Sequence, residues 1–196
     1  AWGLGRSPMN AMVPIEREIK LAYDSADDAR RAVTALGATP RRERRLQQDS
    51  LLDRVHDPLV ERHETLRVRR DGDRAWLTFK GTPLPGPTKA REELETEVEN
   101  ADLLLDLLER LGFEVQFQYE KYREEFDHGA LIVTIDETPI GTYMELEGDE
   151  HDVLDTAARL GRSQGDFILA SYRELFLAHQ AESGTSAVHM RFADLT

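Results

Sequence analysis

The chain has 196 residues, enough for one well-filled core, and no cysteine, so disulfides, thiolate zinc sites and cysteine nucleophiles are all absent. No apolar run approaches the roughly 18 residues of a membrane span, and no signal-peptide pattern opens the chain; a cytoplasmic location fits. A net charge of −13 argues against a general nucleic-acid binder, whose footprint would be basic, but leaves room for a locally basic site that takes a small anion.

Residues 1–12, "AWGLGRSPMNAM", carry no period and read as a flexible leader. A first strand is expected at 15–22, followed by a helix in "SADDARRAVTALG" with Ser25 as cap and Gly37 as stop. Strands follow at about 47–56, 64–70 and 74–80; Asp71-Gly72 between the last two is a hairpin signal. "TPLPGP" is a rigid loop into a strand at 90–98. A second helix starts at Asn100 and stops at Gly112, and strands are expected at 113–126, 130–136 and 142–147. A third helix ends at Gly161, "GDFILASYRELFLAH" continues as a final amphipathic helix, and residues 181–196 read as a loose tail. The domain is then 13–180, an α+β chain of about eight strands whose short links favour antiparallel pairing. The six histidines are scattered, with no pair at metal-ligand spacing.

Read with a period of two, seven strands have one mostly apolar face and one charged face. Like charges share a face at Glu16/Glu18, Arg67/Arg69, Lys121/Arg123 and Glu145/Glu147, beside Lys20, Lys80, Arg91, Glu93, Glu95 and Asp136. Two readings are open. The charged faces belong to an ordinary sheet with one wet side, or the strands close into a small barrel whose interior they line. Clustered like charges disfavour the first, because side-by-side like charges destabilise a sheet. An interior of cations and carboxylates would suit a metal–triphosphate complex: guanidinium and ammonium groups on the phosphate oxygens, acids on a hard divalent ion.

The order of motifs resembles one family. "EREIK" fits the E-x-E-x-K signature of the CYTH superfamily, the triphosphate tunnel metalloenzymes, and "LRVR", "LTFKG", "REELE", "EKYRE", "IDETPIG" and "MELEG" follow in sequence over roughly 14–178. The resemblance implies an eight-stranded antiparallel β-barrel, a triphosphate tunnel with charged interior and helices packed outside. It implies Mg²⁺ or Mn²⁺ as cofactor and a small-molecule triphosphate as partner: tripolyphosphate, thiamine triphosphate or a nucleoside triphosphate. No nucleic acid or membrane partner is implied, and a homodimer is allowed. The leading reaction is phosphohydrolysis by metal-assisted water attack. The alternatives are a class IV adenylyl cyclase making cyclic AMP and pyrophosphate, or a polyphosphate-binding module without turnover.

Carried over by motif, Lys20, Arg67, Arg69, Lys80, Arg91, Lys121 and Arg123 would hold phosphate, and Glu16, Glu18, Glu145, Glu147 and Glu95 the metal. Lys20, Glu93 and Asp136 would act in catalysis, and Gly141 would shape the turn before the last strand. Glu93 and Glu95 have a second reading as ion-pair partners that orient the arginines. Glu97 and Glu99 read as solvated, Trp76 as packing or as a stacking platform, and Tyr119, Tyr122, Tyr143 and Tyr172 as packing, with one near substrate.

Overall fold

Alternation of apolar and charged residues builds eight strands, and in the computed structural model, which describes residues 14–195, they close on one another. The predicted leader lies outside the described residues. The strands are β1 (Ile15–Tyr23), β2 (Thr39–Arg54), β3 (Thr65–Asp71), β4 (Arg74–Lys80), β5 (Lys89–Val98), β6 (Phe113–His128), β7 (Leu131–Thr138) and β8 (Gly141–Glu147). Around the barrel they run β1-β5-β4-β3-β2-β6-β7-β8, every neighbouring pair antiparallel. Closure removes the sheet edge and separates two environments, an outer wall and an interior.

The apolar faces point outward, and helices cover them. Ile19, Leu21, Val133, Ile135, Met144 and Leu146 pack under α1 (Ala26–Leu36) and α3 (Glu150–Arg159), meeting Ala29, Val33, Val153 and Ala157. Leu52, Val68 and Ala75 pack under α2 (Ala101–Arg110) through Ala101 and Leu108. Ser25 caps α1 by accepting from the Asp28 amide, and Gly37 ends it with φ of 74°; Asn100 caps α2 in the same way. Gly141 takes φ of 148° at the β7–β8 turn, a conformation side chains resist.

Three segments depart from the sequence expectation. β2 begins at Thr39, eight residues early, because the arginine-rich run 41–45 has no apolar period; it is a strand because it pairs with acidic β6, Arg41 with Asp127 and Arg45 with Glu125. The expected continuous final helix is broken. After a short turn at Gln164–Asp166 the chain extends, Ile168 exchanges two backbone hydrogen bonds with Lys20 (3.1 and 2.9 Å), and α4 (Tyr172–Ser183) starts afresh from a Ser171–Glu174 capping box. Residues beyond 183 are docked rather than loose: Met190 is fully buried and its backbone bonds Gln118 and Glu120, each at 3.0 Å. Both contacts have one cause. β5 starts at Lys89, opposite Glu18, and β7 stops at Thr138, so β1 and β6 each leave backbone groups unpaired there, which Ile168 and Met190 satisfy.

Candidate functional site: a charged tunnel

The charged faces meet inside the barrel around a cavity of about 1090 Å³. Lys20, Arg67, Arg69, Lys80, Arg91, Lys121 and Arg123 all line it, as do Glu16, Glu18, Glu93, Glu95, Glu145 and Glu147. Of the predicted site residues, only Asp136 does not: it is fully buried beneath the lining side chains. Lys89, Arg54 and Arg173 also line it; the sequence reading passed over Lys89, although it sits two residues before Arg91 on the same strand face.

The register explains the convergence. Glu16 lies across from Arg91, Glu18 from Lys89 on one side and Glu147 on the other, and Lys20 from Glu145. Lys80 lies across from Glu93 and Thr78 from Glu95. Lys80 Nζ reaches Glu16 Oε2 (2.5 Å) and Glu93 Oε2 (2.8 Å). Burial pushes the Glu16 carboxyl well above the usual carboxylate range despite Lys80, while Lys80 and Arg67, with a hydrogen bond from Glu16, hold Glu93 below that range against its own burial. Burial would depress Lys20, but Glu18 (3.0 Å) and Glu145 (3.3 Å) hold it firmly protonated.

Beneath the lining side chains, two aspartates orient the cations. Asp49 accepts from Arg69 Nε (2.8 Å) and lies 3.5 Å from Arg67 Nε; burial opposes its ionisation, and Arg69 and Arg67 restore it. Asp136 accepts from Arg123 Nε (2.7 Å) and Nη2 (2.5 Å), from Lys121 Nζ (2.8 Å) and from the Tyr172 hydroxyl (2.6 Å). It therefore meets the cavity only through Arg123 and Lys121, which it holds in place. Sequence reading missed Asp49, because a lone acid in "QQDS" looks like any solvated residue. Burial brings Lys121 down to about 8, reinforced by repulsion from Arg123, and brings Lys89 to about 8, reinforced by Lys20.

Arg91 is the exception. It is 8% exposed, makes no ion pair among the described residues, and its Nε has no hydrogen-bond partner. The tyrosines divide. Tyr119 and Tyr172 line the cavity, and Tyr172 and Phe176 of α4 pack on Phe117, Tyr119 and Tyr143, which share the interior faces of β6 and β8 with the charged residues. α4 thus covers part of one end of the barrel. Glu97 is exposed and paired with Arg74, whose guanidinium lies 5.0 Å from the Trp76 ring; neither Glu97 nor Trp76 lines the cavity.

The expected metal set is not a preformed cage. Among the described residues no group of three carboxylates or histidines is placed to hold a metal ion. Glu16 is engaged by Lys80, Glu18 by Lys20 and Lys89, Glu145 by Lys20 and Arg123, and Glu95 by Arg67 (3.3 Å) and the Thr78 hydroxyl (2.7 Å). The donor chemistry on β1 and β8 nevertheless suits a hard cation. Glu18 and Glu147 stand directly opposite, Glu147 has no ion pair among the described residues, and burial raises the pKa of both Glu147 and Glu16. One or two carboxylates, completed by substrate phosphate oxygens and water, is the usual way proteins hold Mg²⁺.

The profile of the CYTH domain matches residues 14–172. The chain belongs to the CYTH family. A Methanocaldococcus jannaschii protein named "Putative adenylate cyclase" is 26% identical over 172 residues, spanning 82% of this chain and 98% of its own length. The PH1012 protein of Pyrococcus horikoshii superposes with a TM-score of 0.71 at 25% identity, covering 82% of this chain and 98% of that one. A Hippeastrum protein, described as a "putative adenylyl cyclase" with a dominant triphosphatase activity, has the same fold (TM-score 0.62, 20% identity, 84% and 95% covered). The closed barrel is the CYTH tunnel, and its interior is where CYTH motif residues converge.

Proposed function

We propose that this CYTH protein is a divalent-metal-dependent enzyme that processes a triphosphate, and that hydrolysis of the terminal phosphoanhydride is its reaction. The observation that carries the reading is Arg91: a buried guanidinium with no carboxylate partner among the described residues, in a cavity lined by nine other lysines and arginines. Burying an unpaired charge costs several kcal/mol, about what a structural ion pair can return at best; a bound polyanion supplies the partner. Arg67, Arg69, Lys80, Arg91, Lys121 and Arg123 grip the phosphate oxygens, and their fixed positions stabilise charge as it moves to the leaving group. Lys20, pinned between Glu18 and Glu145, serves as a rigid charge at the same chain. Glu93, ionised beside Lys80, orients the attacking water. A divalent ion held by Glu16, Glu18 and Glu147 would neutralise charge on the bridging oxygens.

Cyclisation of ATP by the same tunnel is the second reading, favoured by the name of the Methanocaldococcus jannaschii relative, which this chain matches over nearly that protein's full length. The test offers the purified protein tripolyphosphate, thiamine triphosphate and ATP with Mg²⁺ or Mn²⁺ and identifies the products. Orthophosphate is the expected product; cyclic AMP with pyrophosphate would move the assignment to the cyclase. Tight binding without any product would overturn both and leave a polyphosphate-binding module.

A further inference from the structure

Carboxylates hold most of the tunnel's cations, but two lysines also meet a side chain that comes from outside the barrel. Tyr172 opens α4, is buried, and lines the cavity. Its ring centroid lies 5.3 Å from Lys20 Nζ and 4.8 Å from Lys121 Nζ, so one ring serves ammonium groups from both β1 and β6. Both distances are within reach of a cation–π contact, which strengthens where water is excluded. At the far end of the side chain the hydroxyl donates to Asp136 Oδ2 (2.6 Å). Burial, then Asp136 and Glu145, hold its pKa well above the usual tyrosine range, so the hydroxyl keeps the proton it donates.

The fold fixes this placement at several points. Two backbone hydrogen bonds tie Ile168 to Lys20, four residues before Tyr172, so α4 is registered against the strand position whose ammonium the ring meets. The Ser171–Glu174 capping box sets the first helical turn, and Tyr119 and Tyr143 flank the ring at 5.7 and 5.8 Å between centroids. Packing by itself needs no polar contact: Phe176, one turn on, is buried against Phe117 as a plain ring.

A ring does something to a lysine that a carboxylate does not. Lys121 has a single ion-pair partner among the described residues, Asp136. It shares Oδ2 of that group with Arg123 Nη2 and with the Tyr172 hydroxyl. Three donors on one oxygen weaken the hold of each, since the oxygen has two lone pairs. The face of an aromatic ring attracts an ammonium without neutralising it. Lys121 is thus fixed in direction while keeping its charge to offer an anion; a second carboxylate would fix it and cancel it.

We infer that Tyr172 is a positioning residue of the phosphate site: its ring aims Lys121 and Lys20 into the cavity, and its hydroxyl loosens the claim of Asp136 on Lys121. α4 is then part of the binding machinery and more than a cover for the barrel end. The inference rests on the triphosphate reading of the cavity and adds to it a residue that none of the charged strand motifs contains.

The test titrates tripolyphosphate calorimetrically, in EDTA, into the wild-type protein, Tyr172→Phe, Tyr172→Leu, Lys121→Met and the double variant Tyr172→Leu/Lys121→Met. Without a divalent ion the Kd reports the cations alone. The fitted number of sites counts folded protein, so a partly misfolded variant loses sites without changing its Kd. Tyr172→Leu is expected to raise Kd by at least about fivefold, and Tyr172→Phe, which keeps the ring, by less than about threefold. In the Lys121→Met background Tyr172→Leu should add no more than about twofold, because the lysine it acts on is gone. An unchanged Kd in Tyr172→Leu, or the same loss with and without Lys121, would overturn the positioning role. So would a Tyr172→Phe protein as weak as Tyr172→Leu, since the ring would then do nothing. A wild-type protein that does not bind tripolyphosphate would overturn the triphosphate reading itself, and this inference with it.

Discussion

Asp136→Asn is the substitution that tests how the tunnel is held together. The carboxylate is fully buried and accepts four hydrogen bonds, three from Arg123 and Lys121 and one from the Tyr172 hydroxyl. Asparagine keeps the shape and one acceptor oxygen but removes the charge, leaving Arg123 with Glu145 as its remaining partner and Lys121 with no ion pair among the described residues. Breaking a buried ion pair from one side costs about 3–5 kcal/mol. For a domain of this size, that corresponds to a fall in Tm of about 10 °C. Urea unfolding at pH 7 reads the loss directly.

The pH dependence provides a signature. Burial alone would raise the Asp136 pKa, but Arg123 and Lys121 more than reverse this, so the folded-state value lies below the ordinary 3.8. The stability this group supplies is therefore complete above that ordinary value and is lost as pH falls through the folded one. The variant should lack that acid limb. Removing Lys121 as well, in Asp136→Asn/Lys121→Met, should recover part of the loss, because the orphaned charge is gone. A loss below about 1 kcal/mol for the single variant, or no recovery in the double, would refute the account of Asp136 as the anchor of the wall.

Glu16→Gln and Glu18→Gln should each raise the Mg²⁺ concentration for half-maximal activity by at least about tenfold while circular dichroism stays unchanged, since Lys80 keeps Glu93 and Lys20 keeps Glu145 as partners; unaltered Mg²⁺ dependence in both would put the metal elsewhere. Lys121 and Lys89, both brought to about 8 by burial, should lose charge between about pH 7 and 9, so KM for the triphosphate should climb over that window. Their effect on stability has the opposite sign: the unfolded chain binds more protons there, so their contribution to stability rises with pH. Lys121→Met and Lys89→Met should each flatten the KM limb, and an equally steep limb in both would assign it to other groups.

Much of the site was legible because a strand repeats every two residues. The shared faces of Glu16, Glu18 and Lys20, of Arg67 and Arg69, and of Lys121 and Arg123 are properties of spacing, and clustered like charges signal that something beyond the strand compensates them. What spacing does not reveal is depth. Asp136 lies on the same strand face as Thr134, yet one shell of cations separates it from the cavity; Glu95 continues the face of Glu93 but lies beside Thr78 and Arg67 instead of near Glu16.

By itself, then, the order of residues determined the strands, the helix caps and which side chains share a wall, because these depend on local geometry and on periods of 2 and 3.6 residues. Only the tertiary structure decided that the walls face one another, that the carboxylates are tied to lysines and arginines, and that the segments around Ile168 and Met190 complete the barrel. Those outcomes depend on groups far apart in the chain competing for the same partners in a space that closure removes from water. The run Glu16–Lys20 shows both halves: its alternation is written locally, and its meaning comes from Glu147, Lys80 and Arg91 across the sheet.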